Sequence, residues 1–410
     1  MAQQAIVSIK LEGGKSIKPF AQLVIVQRAD WHHNFEVRLP LEVFEDKDGS
    51  LVENSHQYIG KTITIEIKSQ FIGGTPNTFK GIVTEVSSSR HHGSDRELVF
   101  RGQSPTILLD DGPNNCSYTE KSLKQIADEC TKTYPQNLIS TSFSPKNSAT
   151  IPYTVQYYES CYHFLSRLAS LNGEWFYYDG TSIVFGEPTG PSTVLNFGKD
   201  LSHFSHSLKV GPSKYKLYSY DYLANQVHES PSSSASVPGL GNSSKLALGE
   251  SESLFSNEPL HLTSRAVKEK SELDELNKNT KSKRASDLVV FSGISDNPGV
   301  TIGGKVKINR SKGSGENITV DDLGEYIVIG VSHSTDGRGN YQNQFEAIPA
   351  TVASPPPNRN VANPVCDADG VKVSFDRIAT LVVPAYIDAT TLFPPELAIV
   401  SITKLSLIHI

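Results

Sequence analysis

Residues 299–306 (GVTIGGKV) come within one residue of a phosphate-binding loop. Such a loop needs a serine or threonine after its lysine to ligate magnesium, and Val306 stands there instead. The following residues, Lys307 and Ile308, continue the alternation of a strand, so no helix N-terminus would point its amide groups at a phosphate. The segment is therefore predicted to enter a strand, and nucleotide binding is rejected.

Several other groups of residues resemble metal ligands. Residues 46–50 (DKDGS) resemble a calcium loop, but the glycine stands at the wrong position and Gln57 replaces the closing glutamate. Three histidine pairs could bind a metal ion, but none lies on a clearly helical segment with a third ligand nearby. These pairs are His32 with His33, His91 with His92, and His203 with His206. The sequence predicts a hairpin turn at 46–50 and no metal site.

Residues for acid, base or nucleophilic chemistry are equally sparse. The chain has no G-x-S-x-G nucleophile elbow. Two acidic pairs, Asp110-Asp111 and Asp321-Asp322, flank turns, where aspartate caps backbone donors. A basic cluster ends a predicted helix, where the helix dipole and solvent account for positive charge; it consists of Lys278, Lys281, Lys283 and Arg284. We expect no catalytic, cofactor-binding or metal-binding residue, and no enzyme.

Composition narrows the class of protein further. The chain has 410 residues, of which 37% are hydrophobic, and this suits two to four domains with apolar cores. No apolar run approaches the ~20 residues of a membrane-spanning helix. The net charge of -6 argues against a general binder of nucleic acid or anionic membranes. Widely spaced cysteines predict reduced thiols rather than a zinc site or a disulfide framework; they are Cys116, Cys130, Cys161 and Cys366.

Hydrophobic patterns divide the first half of the chain into two predicted domains. Residues 1–106 alternate apolar and polar side chains, which is typical of strands with one buried face. Residues 107–190 predict a small α+β domain. Its first helix would begin at a capping box at 117–120 (SYTE), and its second would run from near Glu159 to Asn172-Gly173. A hairpin is predicted to follow over residues 175–185.

The second half of the chain returns to β structure over residues 191–352. A serine-rich stretch at 230–234 is predicted to be a mobile loop. A helix is predicted at about 257–285, with Leu262, Ala266, Leu273 and Leu276 on one face. The prolines after residue 353 indicate a stiff linker, which opens a C-terminal segment over 353–404.

An internal repeat links the two predicted β domains. Three consecutive elements match at an offset of roughly 245 residues, as expected of a duplicated domain. The matched segments are 60–65 with 304–308, 79–87 with 324–332, and 97–101 with 342–346. Histidine and glycine follow the second element in both copies, at His91 and His333. The repeat predicts two similar β domains flanking the α+β domain; in a trimer they would form a pseudo-sixfold ring.

Several segments resemble the VgrG family of contractile injection systems. Residues 157–168 (YYESCYHFLSRL), followed by GEWFYY at 173–178, resemble the family's Q-Y-x-E-S-x-x-x-F-[IL]-x-R-L helix and its G-x-x-[YF]-[YF] strand. Residues 108–123 resemble the entry to its middle domain, and segments within 297–349 resemble its second barrel. The resemblance covers roughly residues 1–350. Phage relatives of this family are the baseplate hubs of contractile tails.

The resemblance implies a structural hub protein. Its fold would be mainly β, with two similar β-barrel domains flanking the small α+β domain, then a linker and the start of an OB-type barrel. Implied partners are two further copies of the chain, a hexameric inner tube protein, baseplate proteins, and tip or effector proteins. Cofactors, nucleic acid and stable membrane insertion are not implied. The N-terminus lacks the pattern of a signal peptide, so we expect assembly in the cytoplasm and delivery outside the cell through the injection apparatus.

The C-terminal segment departs from the family pattern. Residues 370–375 resemble the first strand of the OB-type barrel, but its other strands are not recognisable in 376–404, and no needle repeat is present. The last six residues, 405–410 (LSLIHI), resemble translated sequencing-adapter DNA, so we expect an assembly fragment rather than a natural C-terminus. The alternatives are the hub of a phage tail and, further removed, a cell-wall hydrolase or a glycan-binding module.

Overall fold

The computed structural model describes residues 4–44, 55–70, 76–89, 97–221, 224–263, 267, 269–312, 319–351 and 355. The sequence interpretations of residues 46–50, of His91 and His92, and of the segment after residue 355 lie outside the described residues.

The described chain contains twenty strands and four α-helices of at least nine residues. The strands are β1 (Ala5–Leu11), β2 (Gln22–Arg28), β3 (Trp31–Pro40), β4 (Thr62–Ser69), β5 (Asn77–Ser89), β6 (Glu97–Gln103), β7 (Asn114–Ser122), β8 (Thr141–Ser144), β9 (Thr150–Glu159), β10 (Phe176–Tyr178), β11 (Ile183–Gly186), β12 (Ser192–Phe197), β13 (Leu201–Leu208), β14 (Lys216–Asp221), β15 (Gln226–Pro231), β16 (Leu260–Leu262), β17 (Val289–Ser295), β18 (Lys305–Lys312), β19 (Thr319–Asp336) and β20 (Tyr341–Pro349). The helices are α1 (Leu123–Thr131), α2 (Cys161–Asn172), α3 (Asn242–Leu254) and α4 (Lys270–Ser286). Short 3-10 helices lie at Glu12–Gly14, Leu41–Phe44, Pro105–Asp110 and Ser232–Ser234.

Two groups of six strands form one continuous sheet. The first unit, β1 to β6, has the strand order β1-β4-β5-β6-β3-β2. The second unit consists of β12, β13 and β17 to β20, and has the order β12-β18-β19-β20-β17-β13. When the strands of each unit are counted in chain order, both units have the order first, fourth, fifth, sixth, third, second. This is the equivalent strand order that the internal repeat predicts.

A β-bulge marks the same position in both units. The pairing of β5 with β6 shifts between Val83 and Glu85, and the pairing of β19 with β20 shifts between Val328 and Gly330. The two bulges are separated by the same spacing as the sequence repeat. One pairing differs, because β1 is antiparallel to β4 whereas β12 is parallel to β18. The β-bulges therefore fix which residues of the two units correspond.

Strand β19 belongs to both units. Its N-terminal half pairs with β18, and its C-terminal half pairs with β2 of the first unit in an antiparallel register from Gly330↔Arg28 to Asp336↔Gln22. We call this pairing the β2–β19 joint. The turn after β19 also contacts the first strand, since the Ala5 amide donates to the Gly339 carbonyl at 2.9 Å. The hairpin of the second unit thus lies between β1 and β2 of the first.

The middle segment contains the predicted helices and hairpin, with one changed boundary. Residues 117–120 lie in β7, and α1 begins later, with Ser122 as N-cap in a capping box with Gln125. The helix start predicted at 117–120 was wrong, because β7 continues to pair with β9 as far as Ser122. Helix α2 ends as predicted at Gly173, which has a left-handed φ of 70°. Strands β10 and β11 form the predicted hairpin.

The cysteines differ from the prediction of reduced thiols. Cys130 of α1 and Cys161 of α2 form a disulfide, with their Cα atoms 6.2 Å apart, while Cys116 is free and exposed. The sequence separation of 31 residues carries no motif. The pair arises because the packing of α1 against α2 brings the two buried side chains together.

An insertion at residues 209–288 separates β13 from β17. It contains α3, α4 and a small sheet of order β15-β14-β16. The single helix predicted at about 257–285 was wrong in its first part: Leu262 ends β16, and α4 begins at Lys270. The mobile loop predicted at 230–234 was also wrong, because Ser230 and Ser232 are buried and the Asn277 amide donates to Ser230 Oγ at 2.8 Å.

The hairpin β10–β11 connects the two largest hydrophobic cores. Phe176 and Tyr178 pack in the core of the first unit and middle segment. Trp175 and Tyr177 pack instead in the core of the second unit. Successive strand residues point to opposite faces, so one aromatic hairpin contributes to both cores. The middle segment thereby holds the two six-strand units in a fixed relation.

Candidate assembly interface

The segment that resembles a phosphate-binding loop is part of the second unit's sheet. Val306 lies in β18 and pairs with both β12 and β19, as the strand pattern predicts. Gly303 has a φ of +69°, and a Cβ there would approach the Tyr177 hydroxyl oxygen to 2.4 Å. Gly303 therefore accommodates a tight turn against Tyr177. The segment that follows is a strand, so no helix N-terminus is available to bind a phosphate.

The histidines of β3 make structural hydrogen bonds. His32 is buried, with Nδ1 2.8 Å from Thr106 Oγ1 and Nε2 3.3 Å from Asp110 Oδ2. Burial lowers the pKa of His32, although Asp110 opposes that shift. Asp111 accepts a hydrogen bond from the Tyr134 hydroxyl at 3.2 Å. Within the described residues no group of His, Cys, Asp or Glu could hold a metal ion.

The remaining candidates are separated in the fold. His203 and His206 lie on β13, and both side chains are exposed. Asp321 contacts Arg310 at 2.9 Å and Asp322 contacts Lys307 at 3.0 Å, both across the β18–β19 pair. The structure therefore does not gather these histidines and carboxylates at one place.

Three residues of the basic cluster of α4 make tertiary contacts, two within the insertion and one, through Lys283, with the middle segment. Lys281 is only 7% exposed; its Nζ donates to the Ser232 carbonyl at 2.9 Å and contacts Glu252 at 3.0 Å. Lys283 Nζ donates to the Ser170 carbonyl at 2.6 Å, and Arg284 lies over the Tyr215 ring. The dipole-and-solvent interpretation was wrong for Lys281, Lys283 and Arg284, which are buried or half-buried by tertiary contacts, whereas Lys278 is exposed to solvent.

A buried polar network lies at the β2–β19 joint. Gln27 is 1% exposed and bridges two histidines: its amide nitrogen is 3.2 Å from His33 Nδ1, and its carbonyl oxygen is 3.1 Å from His333 Nε2. His333 Nδ1 is 2.7 Å from the Tyr341 hydroxyl, and its Nε2 is 3.3 Å from the Asn77 amide nitrogen. The network links β2 and β3 of the first unit to β19 and β20 of the second.

Burial determines the charge of these two histidines. It lowers the pKa of His33 to about 3, although a hydrogen bond with the Arg28 carbonyl opposes the shift. Burial alone lowers the pKa of His333 to about 4. Both imidazoles are therefore neutral near pH 7, so His33 Nδ1 can accept a hydrogen bond from the Gln27 amide nitrogen.

Gln27 is the residue of this interface that sequence reasoning missed. The repeat pairs His333 with His91, but the two bulges make His333 equivalent to Ser88 instead. A glutamine in an alternating strand carries little signal, because a polar side chain there usually faces solvent. Its position becomes informative only once β2 is seen to pair with β19.

Solved structures with a similar fold include two tail proteins and a component of a type VI secretion system. The tail protein from Neisseria meningitidis has a TM-score of 0.60 at 11% identity, covering 86% of this chain and 98% of its own. The 43 kDa tail protein of prophage MuSo2 from Shewanella oneidensis has a TM-score of 0.58 at 14% identity, covering 85% of this chain and 99% of its own. An E. coli component of the type VI secretion system, itself similar to the bacteriophage T4 tail proteins gp27 and gp5, has a TM-score of 0.51 at 12% identity, covering 85% of this chain and 78% of its own.

The family assignment rests on the sequence itself. No curated protein matches the chain significantly. The model of the phage tail baseplate hub (GPD) family matches residues 33–337, well over half of the 410 residues. This span begins after β2 and includes β19, the middle segment and the insertion. With the VgrG-like motifs and the tail-protein fold, it shows that the chain belongs to the phage tail baseplate hub family.

Proposed function

We propose that the protein is the hub subunit of a contractile injection system, which works as a homotrimer between a hexameric inner tube and a puncturing tip. The observation that carries the proposal is the equivalent strand order of the two six-strand units. A threefold assembly of a chain with two similar units presents six similar surfaces. Closed cyclic symmetry with three chains would then match a sixfold tube.

The family and the placement of polar residues support a structural role without catalysis. The family is defined by a structural component of the tail. The His, Asp and Lys candidates described above have structural partners or lie apart, so none is committed to a reaction centre. We expect no clearing of purified cell wall in a zymogram with the purified chain; a clear zone that exceeds the buffer control would favour the hydrolase alternative.

Two machines are candidates for this hub. A spike of the type VI or a related extracellular system is favoured by the VgrG-like motifs at residues 157–168. A phage tail hub has the same fold and family. Neighbouring genes separate the two: sheath, tube and secretion ATPase genes would support the first, and capsid and terminase genes the second. In either case we propose cytoplasmic assembly followed by delivery through the apparatus.

Oligomeric state tests the proposal directly. Size exclusion with light scattering, on the 410-residue chain at rising concentration, should show growth toward the mass of three chains. We expect weak association here and a stable trimer once a C-terminal needle is supplied by the complete spike. A chain that stops at the mass of one or two copies, with and without such a needle, would contradict the hub proposal.

A further inference from the structure

The β2–β19 joint pairs one strand edge of each unit. The repeat provides an equivalent edge on the other strand of each equivalent pair, β5 and β13. The bulges make β5 of the first unit equivalent to β19, and the shared strand order makes β13 of the second unit equivalent to β2. Within one chain, β19 pairs with β2. Among the described residues no strand pairs with the corresponding edges of β5 beyond Val83 or of β13 beyond Leu201.

Burial shows that the edge of β13 lacks a neighbour that the edge of β2 has. Ile25 and Gln27 of β2 point into the joint and are 2% and 1% exposed. Their counterparts on β13 are His206, which pairs with Phe291 as Ile25 pairs with Phe35, and Leu208, two residues further along the strand. Both are exposed, and Leu208 is 42% exposed. A strand edge with inward-facing side chains open to water is a site for strand addition.

We propose that β5 of one chain pairs with β13 of a second copy in the register of the β2–β19 joint. This inference rests on the proposed trimeric hub and specifies its interface. Each chain has one such β5 edge and one β13 edge, so the contact is head-to-tail, and three copies close the ring. The two joints would then alternate around the ring, one within a chain and one between chains.

The equivalence predicts which residues face each other. In the β2–β19 joint, Gly330 pairs with Arg28 and Ser332 pairs with Val26. In the proposed β5–β13 pairing, the equivalent pairs are Glu85 with Lys209 and Ser87 with Ser207. Val86 lies opposite Leu208 between them. The transferred register thus places an acidic residue opposite a basic one and an apolar residue opposite an apolar one. Both matches favour antiparallel pairing.

The intrachain joint also defines the geometry of each predicted pair. The Ala29 amide donates to the Ile329 carbonyl at 2.8 Å, so the pair Arg28↔Gly330 lacks direct mutual hydrogen bonds. Two residues along, Val26↔Ser332 is a pair of the same kind. Such pairs have Cα atoms about 4.5 Å apart, which a disulfide can bridge. The equivalent pair between chains can therefore be trapped by cysteines at residues 87 and 207.

Disulfide trapping tests the register. One chain would carry Ser87→Cys and another Ser207→Cys, both with Cys116→Ser and Cys366→Ser, and the two would be mixed and oxidised gently. We expect a heterodimer on a non-reducing gel that neither chain forms alone. The matched control replaces Ser87→Cys with Ser88→Cys, whose side chain points to the opposite face; it should cross-link roughly tenfold less, because disulfides tolerate little change in Cβ direction.

Charge reversal tests the same contact without cysteine chemistry. Glu85→Lys and Lys209→Glu should each weaken trimer association, by roughly two- to fivefold per interface for a cross-strand pair. Within the chain, Glu85 contacts Arg101 at 2.6 Å and Lys209 contacts Asp287 at 3.1 Å, so each single variant also loses an internal pair. The double variant restores opposite charges only between β5 and β13, and it should recover association relative to either single variant.

The outcomes separate this inference from the proposed function. A trimer by light scattering, with no 87–207 cross-link or with equal cross-linking at 88–207, would overturn the β5–β13 pairing and leave the hub standing. A chain that neither cross-links nor forms trimers, with and without a C-terminal needle, would overturn both. A 87–207 heterodimer that exceeds the 88–207 control, together with recovery in the charge-swapped double variant, would support both.

Discussion

The two six-strand units share a strand order but differ in what connects their second and third strands. In the first unit, β2 and β3 are joined by a turn at Ala29 and Asp30. In the second unit, the corresponding strands β13 and β17 are separated by the insertion at 209–288. The two units therefore share their strand pairing but differ in the loops that connect the strands. In the proposed ring, every second position would carry the insertion, which reduces six similar positions to three.

The units also differ in how an aromatic ring meets the sheet. Phe35 packs over Gly102, where a Cβ would come within 2.0 Å of the Ile82 carbonyl oxygen and 2.5 Å of the ring. The equivalent pair in the second unit is Phe291 and Ala347, where a methyl group is already present. At this position, glycine is thus a packing requirement of the first unit alone.

The largest expected effect is therefore that of Gly102→Ala. The new methyl group collides with backbone, so the sheet must shift, and the free energy of unfolding should fall by about 3 kcal/mol. The matched change, Ala347→Gly, removes one buried methyl and should cost about 1 kcal/mol. Urea unfolding followed by circular dichroism measures both; equal losses would remove the packing difference between the units.

The next comparison exchanges residues between the two joint edges. Gln27→Leu leaves His33 and His333 without their amide partner and should lower the free energy of unfolding by about 2 kcal/mol. Leu208→Gln changes an exposed side chain and should stay within about 0.5 kcal/mol for the isolated chain. A Gln27→Leu variant as stable as the parent would show that the buried network does not stabilise the β2–β19 joint.

Acid should destabilise the β2–β19 joint through His33 and His333. Their pKa values in the folded chain, about 3 for His33 and about 4 for His333, lie below the ordinary value of 6.5. The unfolded chain therefore binds more protons, and stability falls as the pH drops from about 6.5 toward 4, by on the order of 1 kcal/mol per pH unit for each imidazole. Unfolding curves between pH 7 and pH 4 would measure the slope.

A substituted histidine provides the control for that slope. His333→Gln removes one of the two titrating groups, so the pH dependence should become shallower even though the variant is less stable at pH 7. An unchanged slope in His333→Gln would mean that other groups cause the acid sensitivity.

The smallest expected effect lies in the insertion, which the first unit lacks. Gly249 is inside α3, and a Cβ there would meet nothing within 4 Å. Gly249→Ala should raise the free energy of unfolding of that helix by about 0.5–1 kcal/mol through helix propensity alone. Protection of α3 amides in hydrogen exchange would report it, and a decrease in protection would show an unfavourable contact in the intact protein.

Local patterns predicted the elements that depend on local chemistry. The alternation in β3, β4 and β5 and the glycine end of α2 at Gly173 follow from side-chain period and a left-handed residue, so the sequence suffices. The repeat even predicted the equivalent strand order. What could not be read from the sequence depends on distant partners: Cys130 with Cys161, Lys281 with Ser232, and Gln27 between two histidines. In each case the signal lies in a contact across many residues, which periodicity does not record.

The shared strand β19 has a mechanical consequence. Its 18 residues form one extended backbone of roughly 60 Å at the usual rise per residue. A load applied to the second unit would reach the first along covalent bonds of this strand, and would then act on the β2–β19 joint. Where the pull runs parallel to the strands, the paired residues from Gln22 to Arg28 share it simultaneously instead of separating one after another. A joint loaded in this direction resists rupture far better than one that is peeled from its end, and the orientation of β19 relative to the thrust axis decides which of the two applies.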